Sequence, residues 1–123
     1  WRHRDLKNIH FMHYADMTRD LDGEMRRLSK ALGIPIDEAK WPALVDAARF
    51  ETMKANAARN APGAHLGEWA DSNKFFRKAR KGEWRDVLSP ENQALYEKVS
   101  TERLSPELKA WLERGRAGAT PSV

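Results

Sequence analysis

One short segment limits what this chain can fold into. Asn8-Ile9-His10-Phe11-Met12-His13-Tyr14 is the one run with convincing strand character. Ile9, Phe11 and His13 alternate with His10, Met12 and Tyr14, so both faces carry large groups. Successive side chains of a strand point to opposite faces. Bulk on both faces suits a strand covered on two sides in a parallel sheet. A lone strand leaves its backbone N–H and C=O groups without partners. No other segment of the 123 residues reads as a strand of comparable strength. The expectation is therefore an α/β fold in which residues 8–14 pair with segments from outside this sequence, and a chain that does not fold stably alone. It would be the C-terminal part of a larger α/β domain, or one piece of a cleaved one.

Helices dominate the rest. Thr18 or Asp20 can cap a helix that runs to Leu32, with Leu21, Met25, Leu28 and Leu32 on one face. Gly33 and Pro35 end it. A second helix is expected over residues 37–48, burying Trp41, Leu44 and Val45, and a short third over residues 49–56. Residues 57–74, with the Asn60-Ala61-Pro62-Gly63 break, read as a long loop. Ser89-Pro90-Glu91 and Ser105-Pro106-Glu107 each read as an N-cap followed by Pro at the first helical position. The first of these helices should turn Leu95, Tyr96 and Val99 inward, and the second Leu108, Trp111 and Leu112. Residues 1–114 are expected to belong to the domain, and residues 115–123 to form a flexible tail.

Composition narrows the function classes. Hydrophobic residues at 41% and charged residues at 33% suit a folded, soluble chain rather than a disordered one. A net charge of +4 favours anionic ligands slightly but is no nucleic-acid signature by itself. With no cysteine there is no disulfide framework, thiolate nucleophile or thiolate metal site. No apolar run approaches the ~20 residues of a membrane span, and no secretory signal is expected. The expected location is cytoplasmic. Of the four histidines, His10 and His13 would lie on opposite faces of the strand. No metal site and no catalytic residue is read from them.

The positive charge peaks at Arg77-Lys78-Ala79-Arg80-Lys81-Gly82-Glu83-Trp84-Arg85, directly after Phe75-Phe76. Five bases and one acid between aromatic anchors can neutralise a compact phosphate. A solvated basic loop has the same composition. Acids are interspersed through the helices (Asp20, Asp22, Glu24, Asp37, Glu38, Asp46, Glu51), which suits a compact phosphate better than a polyanion track. The alternative is a small basic helical module that binds nucleic acid or another anion without catalysis; nucleic acid is the less expected partner.

Phe76-Arg77-Lys78-x-x-x-Gly82-Glu83-Trp84-Arg85 resembles the Phe-x-Arg-Lys-Gly-x-x-Gly-Asp-Trp-Lys signature near the C-terminus of the soluble sulfotransferases. Two further segments agree, in order. His13-Tyr14-Ala15-Asp16-Met17 resembles the family's Lys-Tyr-Glu-Asp-Met box at the end of a central strand. The segment from Ala48 to Asn56 (Ala-Arg-Phe-Glu-Thr-Met-Lys-Ala-Asn) resembles its Thr-Ser-Phe-Glu-x-Met-Lys-x-Asn stretch. The resemblance implies a P-loop-like parallel sheet with covering helices, of which this chain is the C-terminal part, mostly α with one strand. It implies 3′-phosphoadenosine 5′-phosphosulfate (PAPS) as sulfuryl donor and a small-molecule hydroxyl or amine as acceptor. Arg77, Lys78 and Ala79 then match the 3′-phosphate loop, with Ala79 in place of the family's Gly. Tyr14, Phe50 and Ala48 match residues around the adenine, with Ala48 in place of Thr. The phosphosulfate loop and the catalytic base would come from the remaining N-terminal part of the domain. Asp16 is expected to cap the helix that follows it, and Trp69 to wall an acceptor pocket.

Overall fold

The computed structural model describes residues 1–76 and 84–118, with Arg85 described by its backbone alone. Among them, helices follow in the order α1 (Tyr14–Arg19), α2 (Leu21–Leu32), α3 (Trp41–Ala47), α4 (Phe50–Ala55), α5 (Ala57–Asn60), α6 (Trp84–Val87), α7 (Pro90–Arg103) and α8 (Pro106–Arg114). Short 3-10 turns lie at Ala64–Leu66, Ser72–Lys74 and Gly115–Ala117. The chain divides into two units, one built from residues 1–34 and 81–123, the other from residues 35–80. No helix among the described residues is long and apolar enough to cross a membrane.

The expected strand is the first correction. Residues 9–13 carry no ladder, and Tyr14 already opens α1. A strand exists only through its hydrogen-bonded neighbour, and the described residues supply none. His13 still holds an extended backbone, at φ −119° and ψ 132°. The Phe11 carbonyl accepts from Arg27 Nη2 at 2.8 Å. Aromatic rings cover one side of the segment. Trp111 lies 5.3 Å from Trp1, 5.6 Å from Phe11 and 5.0 Å from His13, centroid to centroid.

Local signals set most helix ends. Asp20 caps α2 by accepting from the Gly23 N–H at 2.9 Å. Gly33 closes α2 in the left-handed conformation (φ 67°), a geometry glycine adopts without a Cβ clash. Ser89 accepts from the Asn92 N–H and Ser105 from the Leu108 N–H, each followed by Pro in the first turn. α3 starts later than residue 37. Pro42 lacks an N–H and fits only in the first helical turn, so the helix begins at Trp41.

Four further expectations change. Residues 57–74 are a series of tight turns around buried Ala57 and Ala61, not a long loop. Small side chains let those turns approach one another closely. Trp41 and Val45 are buried, but Leu44 is 52% exposed. On α7, Leu95, Tyr96 and Val99 are exposed, and they line an apolar groove that ends at Leu104. Periodicity put them on one face; it says nothing of what covers that face. The tail expected from Gly115 is docked through Gly118. Gly115 is buried, and a Cβ on it would stand 2.6 Å from the Asp16 carboxylate. Residues 119–123 lie outside the described residues.

Candidate functional site

The residues with expected ligand roles are distributed over both units. In the second unit, Arg49 holds an extended backbone (φ −69°, ψ 144°) and α4 starts at Phe50. The half-buried Phe50 ring meets Phe76 edge-on, with centroids 6.1 Å apart and planes at 69°. Phe76 is buried against Ala57 and Ala61 and meets Phe75 edge-on at 5.0 Å. Such edge-to-face pairs contribute about 0.5–1.5 kcal/mol beyond area burial. The chain therefore enters the basic segment from a fixed aromatic beside Phe50. Ala48 ends α3, half-buried, with its N–H donated to Leu44 O and Val45 O. Its methyl group cannot replace a threonine hydroxyl as donor or acceptor. Trp69 donates from its indole nitrogen to Pro62 O at 2.5 Å and packs on Phe75 at 5.7 Å. Arg77, Lys78 and Ala79 lie outside the described residues, as do Gly82 and Glu83.

In the first unit, Tyr14 is the first residue of α1 and is 52% exposed. His13 immediately before it caps the helix, its Nδ1 accepting from the Ala15 N–H at 3.0 Å. With Nδ1 acting as acceptor, the ring proton sits on Nε2, which donates to Leu112 O at 3.0 Å. No group of three or more His, Asp or Glu side chains among the described residues is placed to hold a metal ion.

The model of the sulfotransferase domain matches residues 1–106. The chain belongs to the sulfotransferase family. A glycolipid sulfotransferase of Mycobacterium bovis is 32% identical over 122 residues, which is 99% of this chain and 37% of that protein. An amine sulfotransferase of Oryctolagus cuniculus is 29% identical over 108 residues, covering 85% of this chain and 36% of that protein. Among solved structures, mouse sulfotransferase SULT7A1 complexed with PAP superposes with a TM-score of 0.73 at 26% identity, over 97% of this chain and 43% of the mouse chain. The chain thus spans little more than a third of the length of the curated sulfotransferases it matches.

One cluster in this sulfotransferase chain escaped the sequence reading. Asp16 does not cap a helix; His13 and Asp20 do that on either side of it. Asp16 is buried in the first turn of α1, and Glu24 is buried on α2. Asp16 accepts from Arg19 Nη1 at 2.9 Å and from the Arg116 N–H at 2.9 Å. Glu24 pairs with Arg27 at 2.9 Å and with the guanidinium of Arg116. Burial pushes the Asp16 carboxyl up, but the Arg116 N–H and the two guanidinium groups outweigh it and hold the carboxyl below its ordinary value. Nothing local announces this pairing. The partners stand about a hundred residues apart, and Arg116 lies beyond the family match.

Proposed function

We propose that this chain supplies the adenine and 3′-phosphate part of a cytoplasmic PAPS-dependent sulfotransferase, transferring the sulfuryl group to a hydroxyl or amine of a small acceptor. Membership of the family supports this reading, and so do the names of the relatives and the PAP-bound state of the mouse neighbour. The observation that carries it in this chain is the Phe50–Phe76 contact. It joins the start of the adenine-matching segment to the residue that precedes Arg77. A basic nucleic-acid module gains nothing from such a junction.

In this reading, Arg77 and Lys78 bind the 3′-phosphate and the Ala79 N–H donates to it. Phe50 and Tyr14 flank the adenine, and Ala48 offers it an apolar surface. PAPS supplies an activated S–O bond, which breaks as the acceptor oxygen or nitrogen bonds to sulfur. The acceptor's proton goes to a base that lies outside this chain, as does the phosphosulfate loop. The remaining N-terminal part of a P-loop-like domain brings both, together with the parallel strands that flank residues 8–14. Cations held around the nucleotide stabilise the departing phosphate.

A charge-assisted Arg77–phosphate contact is worth about 1.5–3 kcal/mol, or ten- to hundred-fold in affinity. In the complete protein, Arg77→Ala should weaken 3′,5′-adenosine bisphosphate by that factor. It should leave adenosine 5′-phosphosulfate, which lacks the 3′-phosphate, nearly unmoved. Arg80→Ala and Lys81→Ala should act less, since they fall between the matched positions. Calorimetric titration of both nucleotides decides it; no loss with Arg77→Ala would sink the assignment.

A further inference from the structure

Helix α1 and the end of α8 hold each other through reciprocal contacts. The last carbonyls of a helix lack partners within it. Here two donors from the start and end of α1 supply them. His13 Nε2 donates to Leu112 O at 3.0 Å, and Arg19 Nη2 donates to Arg114 O at 3.2 Å. In return, the segment after α8 neutralises α1. Gly115 turns the chain at φ 72°, against Asp16, where a side chain would collide with the carboxylate. The Arg116 N–H then reaches Asp16, and its guanidinium reaches Glu24 on α2. Two buried carboxylates thus share one arginine from beyond the family match, Asp16 also holding Arg19 and Glu24 also holding Arg27. Releasing Arg116 leaves each buried carboxylate with one guanidinium where it had two, and loosens the tie between the segment after α8 and both α1 and α2.

We infer that Arg116 is a positioning residue for nucleotide binding: the clasp it closes on Asp16 and Glu24 fixes α1, and with it the Tyr14 ring. This rests on the reading of Tyr14 as an adenine contact. Tyr14 sits between the His13 cap and the Asp16 anchor, so both ends of its short helical turn are tied to α8 and the segment after it. Opening the clasp frees the tyrosine ring to leave the adenine without removing any group that touches the ligand.

The test is a double-mutant cycle in the complete protein, read as the dissociation constant of 3′,5′-adenosine bisphosphate alongside the thermal midpoint. Tyr14→Ala should weaken binding about tenfold by loss of ring stacking. Arg116→Ala, which keeps the backbone N–H to Asp16 but removes the guanidinium from Glu24, should weaken it about fivefold, within the range of couplings carried through packed elements. The two together should weaken it no more than Tyr14→Ala alone, because Arg116 acts through that ring. Arg116→Lys, which keeps a cation against Glu24, should stay within about twofold of the parent. If Arg116→Ala does not fold, Glu24→Gln takes its place, with an expected loss of about threefold that vanishes in the Tyr14→Ala background. A melting-point drop with unchanged affinity overturns the inference, as does an affinity loss that persists without Tyr14. If the parent binds no bisphosphate, the functional reading itself fails. If Arg77→Ala weakens binding and Tyr14→Ala does not, the nucleotide site stands and the clasp's role in it falls.

Discussion

Different contacts hold each of the two units together internally. Around Phe50 and Phe76 the contacts are apolar, aromatic and short in sequence range, and Ala57 and Ala61 complete them. Around α1, beside the aromatic cluster of Trp1, Phe11 and Trp111, polar and ionic contacts join residues nearly a hundred positions apart. Apolar burial responds to side-chain volume, whereas a buried ion network responds to charge and pH. Phe50 and Tyr14, proposed here to flank adenine, should therefore fail under different insults, and that contrast can be broken experimentally.

The largest effect is expected at Phe76. Phe76→Ala in the complete protein empties the centre of the apolar cluster and should cost about 3 kcal/mol, the low end for a buried Phe because the cluster is small. Urea unfolding measures it. The loss should be the same at pH 5 and pH 8, since Phe50, Ala57, Ala61 and Phe76 do not titrate. A cost under about 0.5 kcal/mol would place Phe76 among ordinary surface residues and remove the anchor of the basic segment.

Next comes Asp16. Asp16→Ala takes from Arg19 its carboxylate and from Arg116 one of the two it reaches. Both guanidinium groups are half in water, which offsets part of the penalty, so the expected cost is about 2 kcal/mol rather than the 3–5 of a fully buried pair. Its pH dependence has a definite sign. The folded Asp16 carboxyl is held below its unfolded value. The stability it adds is therefore present above the ordinary carboxylate range and is lost as pH falls through the folded value. The difference in stability between the parent and Asp16→Asn should stay flat from about pH 8 to 5 and shrink below about pH 4. A difference that grows on acidification would mean that Asp16 is not held as an anion in the folded protein.

What the sequence made legible follows the same division. Caps are local chemistry, so Asp20, Ser89 and Ser105 could be read from their neighbours, as could Gly33. The three segments that resemble the family were legible in order, and the family match covers them. The clasp was not legible, because no periodicity or spacing links Asp16 to Arg116. Nor were the turns of residues 57–74, where Pro62 and Gly63 signalled a break while alanines made the buried contacts. Residues 8–14 were read from side-chain alternation, but a ladder depends on a neighbour that alternation cannot supply. The face of α7 shows the same limit: Leu95, Tyr96 and Val99 share a side, and that side is open.

The smallest predicted effect separates helix stability from clasp closure. α8 begins with a local cap, Ser105 Oγ accepting from the Leu108 N–H at 3.2 Å, and ends in the long-range contacts to α1. Ser105→Ala removes the cap and should cost about 1 kcal/mol, Ser105→Asp should cost little, and Ser105→Gly only a few tenths. None of these touches Leu112 O, Arg114 O or Arg116. If the clasp alone fixes Tyr14, Ser105→Ala lowers the melting temperature while the affinity for 3′,5′-adenosine bisphosphate stays within about twofold of the parent. Arg116→Ala moves the affinity as well. An equal affinity loss from both variants would show that nucleotide binding follows the overall stability of α8, and the distinction between its two ends would dissolve.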